Sequence, residues 1–177
     1  MKRYFLIGYM GAGKTTLGKF ISQKMELSFI DLDLYIESRY RKTINEIFQE
    51  KGEDGFREIE RKALHEVGEF EDVVIATGGG VPCFFDNKEY MNQQGVTIYL
   101  KTGVPVLFKR LKIAKASRPI LKDKTDEELY SFIEENLNKR ESAYEAAKLI
   151  FDANELDDYK QIEAATNKLC SLLKDYD

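Results

Sequence analysis

The residues Gly8-Tyr9-Met10-Gly11-Ala12-Gly13-Lys14-Thr15 match the spacing G-x-x-x-x-G-K-[ST] at every fixed position. Glycines let a backbone turn tightly and aim successive amide N–H groups inward, so that phosphate oxygens are cradled without a side chain intruding. A helix opening near Lys14 adds the positive end of its dipole to the same spot. Lys14 then reaches the β- and γ-phosphates, and the Thr15 hydroxyl is placed to ligate Mg²⁺. The apolar run Tyr4-Phe5-Leu6-Ile7 before the loop and the amphipathic stretch after it supply the strand and helix that such a loop needs, which favours a phosphate cradle over a turn that binds nothing.

Phosphate binding alone does not separate kinases, GTPases, motors and nucleotide sensors, so other chemistry-bearing residues must decide. The nearest approach to a guanine-reading Asn-Lys-x-Asp is Asn138-Lys139-Arg140-Glu141, inside a predicted helix and ending in Glu, which counts against a GTPase. The run Val73-Val74-Ile75-Ala76 ends in Thr77 and lacks the acid that often supports the metal. Asp31 and Asp33, leaving a predicted strand, are the best replacements: Asp31 toward hydrated Mg²⁺ and Asp33 toward an acceptor hydroxyl. Asp152 is a rival for the metal, and any single Asp at a strand end also serves as a helix cap or turn former. Arg57, Arg118 and Arg140 fall near the same edge, where guanidinium forks can grip a carboxylate at two points. Arg118, before Pro119 in a basic stretch, suits a closing lid that neutralises a moving phosphoryl group. Gly78-Gly79-Gly80 is either a tight turn or a place where backbone approaches a ligand. His65 reads as structural, and Phe48 and Phe56 as core or pocket-wall aromatics.

These residues need a scaffold, and the apolar periodicity supplies one. Strands are predicted at 4–7, 28–31, 72–76, 96–100 and 149–151. Helices are predicted after the first loop (Leu17, Phe20, Ile21, Met25), through Leu34 to Tyr40, from a capping box at Thr43 to Lys51-Gly52, from Glu53 to about Phe70, and from Phe85 to Gln94. Further ones run from Val104 to Leu111, from a capping box at Thr125 to about Ala147, and from Tyr159 to Lys174. Strands alternating with helices imply an α/β fold of three layers, a parallel sheet covered on both faces, with ligands at the carboxyl ends of its strands. Between Lys109 and Lys124 the chain is basic, and reads as mobile and solvent-facing.

With 177 residues, a single domain over 1–177 is expected, with no internal repeat. A hydrophobic fraction of 43% and no apolar run of membrane-spanning length exclude a membrane protein. The start enters a strand almost at once, leaving no room for a signal peptide, so a cytoplasmic location is expected. A net charge of −4 argues against nucleic-acid binding and requires that anionic ligands be held locally. Cys83 and Cys170 lack disulfide or zinc spacing and are expected to be buried or partly buried thiols.

Six motifs in order, Gly8 to Thr16, Asp31-Leu32-Asp33, Phe56-Arg57-Glu58-Ile59-Glu60, Thr77-Gly78-Gly79-Gly80, Arg118-Pro119-Ile120-Leu121 and Arg140-Glu141-Ser142-Ala143-Tyr144, resemble the shikimate kinase family over nearly the whole chain. The resemblance implies an adenylate-kinase-like P-loop fold with a five-stranded parallel sheet, substrate-binding helices at about 33–61 and a flexible lid at about 112–124. It implies ATP-dependent phosphorylation of the 3-hydroxyl of shikimate, in the route to chorismate and aromatic amino acids, by a monomer using Mg²⁺. By motif, Gly11, Ala12, Gly13, Lys14, Thr15, Thr16, Arg110 and Arg118 would bind ATP, Arg110 lying against adenine. Thr15 would ligate the metal and Asp31 support it through water. Asp33, Arg57, Gly79 and Arg140 would bind shikimate, with Asp33, Lys14 and Arg118 catalytic. Two departures stand out: Ile120 where Leu is usual, and the apolar Val81-Pro82-Cys83-Phe84. A small kinase for gluconate or a nucleoside monophosphate, or a nucleotide sensor without turnover, are the competing readings.

Overall fold

The computed structural model describes residues 1–176. Five strands, β1 (Arg3–Ile7), β2 (Ser28–Asp31), β3 (Val73–Ala76), β4 (Val96–Lys101) and β5 (Leu149–Asp152), form one sheet in the order β2-β3-β1-β4-β5. Every neighbouring pair is parallel. Parallel pairing follows from the connections, since each must carry the chain back to the same end of the sheet and does so with helix. These helices are α1 (Lys14–Lys24), α2 (Leu32–Tyr40), α3 (Ile44–Val67), α4 (Asn87–Gln94), α5 (Val104–Ala114), α6 (Asp126–Glu145) and, after β5, α7 (Tyr159–Leu173). Right-handed crossovers are the rule for such parallel connections, and the helices pack in pairs, α1 with α7, α2 with α3 and α5 with α6. The three-layer α/β architecture expected from the sequence is the one observed.

Both faces of the central strands are covered, which is why β1 and β3 read as unbroken apolar runs: Tyr4 to Ile7 and Val73 to Ala76 are all buried. Helix α1 sits close on this sheet at Gly18, where an added Cβ would stand 2.6 Å from Phe29 and 3.0 Å from Leu6. At the far end of α1, Met25 N–H returns to Ile21 O at 2.9 Å and lets the chain turn into β2.

Local boundaries differ from expectation in informative ways. Helix α2 begins directly after β2, because Asp31 is both the last strand residue and the N-cap, accepting the Leu34 N–H at 3.2 Å. Asp33 therefore lies in the first turn of a helix and not on a strand exit. The capping box at Thr43 is complete: its hydroxyl accepts the Glu46 N–H at 3.1 Å, and the Glu46 carboxylate accepts the Thr43 N–H at 2.7 Å. Gly52 interrupts α3 as expected: at φ 70° and ψ −179° its backbone is not helical, and a second helical stretch follows it to Val67. Phe85, at φ 51°, delays α4 until Asn87. Cys170 is buried as expected, whereas Cys83 is exposed, because Val81 and Pro82 take the inward positions of a short 3₁₀ turn. Among the described residues no helix is long and apolar enough to cross a membrane.

The contact at Gly18 generates a stability expectation. Gly18→Val should destabilise the fold by about 1–3 kcal/mol through overpacking, read from the urea midpoint. An unchanged midpoint would mean that α1 stands off the sheet.

Candidate active site

A cavity of about 510 Å³ opens at the carboxyl ends of the strands. Gly11, Gly13, Lys14, Thr15, Thr16, Asp31, Asp33, Gly79, Arg110 and Arg118 all line it. Ala12 is fully buried within the loop. Gly13 caps α1 in the left-handed region, φ 96°, which turns the loop directly into the helix and presents the first-turn amides to the cavity. A side chain there would also collide with Leu156, 2.7 Å from the Cβ position.

Lys14 Nζ donates to Gly8 O at 2.7 Å and Tyr9 O at 2.9 Å, so the cation lies along the rim of its own loop. Burial pushes its pKa down from 10.5 to about 8; Asp33 opposes that shift and Arg118 reinforces it. Thr15 Oγ1 donates to Asp31 Oδ2 at 2.8 Å. Among the described residues no cluster of three or more His, Cys, Asp or Glu could hold a metal ion. The hydroxyl and carboxylate at Thr15 and Asp31 nevertheless fit Mg²⁺, a hard cation that keeps several waters and takes one or two protein oxygens beside phosphate. Asp31 thus combines the capping role open to any such Asp with a place in the cavity. Asp152 does not enter it: its Oδ1 accepts from Asn154 N at 2.9 Å and Nδ2 at 2.8 Å, a local turn.

Beside the phosphate cradle lies a second, charge-rich region built over the triple glycine. A Cβ on Gly78 would stand 3.1 Å from Asp33 Oδ1 and 3.2 Å from Glu60 Oε2. On Gly80 it would stand 2.7 Å from both terminal nitrogens of Arg57, and on Gly79 it would stand 3.3 Å from Arg140 Nη1. The glycines form a turn, Val81 N–H donating to Gly78 O at 3.1 Å, and charged side-chain ends crowd close against it. Arg57 is only 8% exposed, donates from Nη1 to Glu60 Oε1 at 2.9 Å, and lies over the Phe84 ring at 4.2 Å. Its Nε is buried without a hydrogen-bond partner. Burial, reinforced by Asp31, raises the Asp33 pKa, while Lys14 and Arg57 pull it down. Burial likewise raises Glu60 against the pull of Arg57.

Arg110 is committed to backbone, donating from Nη1 to Gly11 O at 3.1 Å and from Nη2 to Ala153 O at 2.9 Å and Asn154 O at 3.0 Å. With those donors used in the guanidinium plane, it can meet a flat ring only through its face. Arg118 follows a short 3₁₀ turn, Lys115–Ser117, and the segment beyond is pinned by Leu121, which is fully buried. Most of this basic stretch is solvent-facing as expected, but Leu121 anchors it, and residues 112–114 belong to the last turn of α5. His65 lies outside the cavity and stacks on Tyr90 at 3.8 Å. Phe56 is buried and packs on Phe48 at 4.5 Å.

Four residues without an assigned role in the sequence reading matter here: Glu60, Phe84, Tyr144 and Leu156. Glu60 was legible, since it follows Arg57 at a helical i,i+3 spacing. Tyr144, one turn after Arg140, donates its hydroxyl to Gly79 O at 2.5 Å. Phe84 explains the apolar departure after the glycines, for its ring supports Arg57. Leu156 touches the loop only through tertiary folding.

Comparison with known proteins agrees with this geometry. The shikimate kinase family model matches residues 10–171. A shikimate kinase of Phocaeicola vulgatus is 60% identical over 169 residues, covering 96% of this chain and 97% of its own. The 1.7 Å crystal structure of shikimate kinase from Bacteroides thetaiotaomicron superposes with a TM-score of 0.96 at 57% identity, covering 98% of each chain. Shikimate kinase from Acinetobacter baumannii in complex with shikimate gives 0.83 at 32% identity, covering 99% of this chain and 94% of the other. With the P-loop, the paired aspartates and the arginine-bearing pocket at one sheet edge, the chain belongs to the shikimate kinase family.

Proposed function

We propose that this protein transfers the γ-phosphoryl group of ATP to the 3-hydroxyl of shikimate, giving shikimate 3-phosphate and ADP on the route to chorismate and the aromatic amino acids. The observation that carries the reading is the position of Gly79. Its Cβ position is 3.5 Å from Gly8 O and Met10 N of the phosphate loop and 3.3 Å from Arg140, so a phosphate cradle and an acid-binding pocket share one wall.

The loop amides, the N-terminus of α1 and the Lys14 ammonium hold the phosphates. Thr15, with Asp31 through water, would hold Mg²⁺, which when bound would supply neutralisation of phosphate charge. Arg57 and Arg140 grip the shikimate carboxylate, and Gly79 offers backbone to the ring. That anchors the acid so that its hydroxyl meets Asp33. Asp33 accepts the hydroxyl hydrogen bond and receives the proton as oxygen bonds to phosphorus. Its raised pKa makes it a better acceptor than an exposed aspartate, while Lys14 and Arg57 keep the carboxylate available. Arg118 approaches the transferred group from the lid segment over 112–124, and Arg110 lies against the adenine through its face. Phosphoryl transfer asks mainly for such positioning and charge neutralisation.

The enzyme acts as a monomer, and consumption of ATP suits the cytoplasm. Neither nucleic acid nor membrane is required as a partner.

A coupled assay offering ATP with shikimate, gluconate or AMP tests the assignment: turnover with shikimate alone is expected, and preference for gluconate or AMP refutes it. Asp33→Asn should lower kcat about 100-fold or more while leaving the KM for ATP within about twofold. Comparable losses in both would move Asp33 out of its role. Lys14 in the free protein is charged below about pH 8 and sheds its proton above it, whereas an unfolded lysine stays charged toward 10.5. Because phosphates need the charged form, kcat/KM for ATP should fall as pH rises through about 8. The same shift makes Lys14 contribute rising fold stability with pH between about 8 and 10.5, since the native state binds fewer protons there. A flat profile of kcat/KM past pH 9 would contradict the assigned contact.

A further inference from the structure

Helix α6 presents two side chains one turn apart, Arg140 and Tyr144, and both converge on the same residue of the neighbouring loop. Arg140 Nη1 lies 3.3 Å from the Gly79 Cβ position, and the Tyr144 hydroxyl donates to Gly79 O at 2.5 Å. Gly79 is also the point where that loop touches the phosphate cradle, with Gly8 O and Met10 N each 3.5 Å from the same Cβ position.

Tyr144 is fully buried and its ring lies against Tyr99, centroids 5.1 Å apart. The hydroxyls of Tyr99 and of the nearby Tyr9 are buried without a hydrogen-bond partner. Of these three phenols, then, only that of Tyr144 is tied to the site. Packing alone would be satisfied by phenylalanine in its place, so the hydroxyl needs its own explanation. A trans peptide whose carbonyl is held has its whole plane held, and no peptide in the chain is cis among the described residues. The Gly79–Gly80 peptide has no side chain of its own to brace it, and glycine backbone is the freest to rotate.

We propose that Tyr144 is a positioning residue for the acid substrate: its hydroxyl locks the Gly79–Gly80 peptide against α6, so that the Gly79 backbone and the Arg140 guanidinium meet the substrate as one preorganised surface. Tyr144 touches neither substrate. It acts by removing a rotation that binding would otherwise have to suppress. Burial raises its pKa, with Arg140 opposing, so the phenol keeps its proton and remains a donor through the working pH range. The inference rests on the shikimate assignment above.

The test compares Tyr144→Phe with Tyr99→Phe, measuring KM for shikimate, KM for ATP and Tm. Each change removes one hydroxyl and no apolar contact, so the fold is retained. Tyr144→Phe should raise the KM for shikimate about threefold to tenfold while the KM for ATP stays within about twofold, the scale of one lost hydrogen bond. Tyr99→Phe should leave both constants unchanged. A Tm loss in Tyr144→Phe with unaltered KM for shikimate would make the hydroxyl merely structural and overturn the proposal, as would an equal rise in both constants. Absence of shikimate turnover in the unsubstituted protein is a separate outcome, and it would overturn the parent assignment instead.

Discussion

The site depends on the register between β1 and β3. Leu6 pairs with Ala76, and Thr77 returns both its N–H, at 3.1 Å, and its hydroxyl, at 3.0 Å, to Leu6 O. Two strands that end at the same level deliver two glycine-rich loops to the same level, one after Ile7 and one after Thr77. A slip of a single residue would turn each strand's side chains to the opposite face and part the loops. Thr77, which stands where a metal-supporting acid was missing from the sequence, is therefore a fastener for this register.

Crowding like charges beside unlike ones is the cost of this arrangement. Burial and then the neighbouring Asp31 make Asp33 reluctant to ionise, and burial followed by Arg118 and Arg140 does the same to the Lys14 cation. Lys14 donates to its own loop carbonyls, and Arg57 to Glu60. A protein with a net charge of −4 can thus attract two anions, because the cations are concentrated and desolvated at one rim.

Glycine serves three purposes within a short span of sheet edge. Gly13 supplies a left-handed turn into α1, Gly18 admits the sheet to the helix, and Gly78 to Gly80 yield space to Asp33, Glu60, Arg57 and Arg140. Only the last of these makes contact with the charge-rich region, and its tolerance for side chains is set by charged ends that arrive from α2, α3 and α6.

The strand and helix rhythm, the phosphate loop and the six ordered motifs were legible in the chain because they depend on local spacing: period, caps and glycine placement act over a few residues. Asp33 as a helical residue and the exposure of Cys83 were not, because each depends on which neighbour wins a contested backbone position. The further partners were hidden for a different reason. Phe84 beneath Arg57, Leu156 against Gly13 and Tyr144 on Gly79 join segments far apart in sequence, and no periodicity records such meetings. Sequence by itself determined which chemical groups are present and the order of the elements around them. Tertiary structure alone decided their mutual distances, since parallel strand register and close helix packing bring distant segments to one rim.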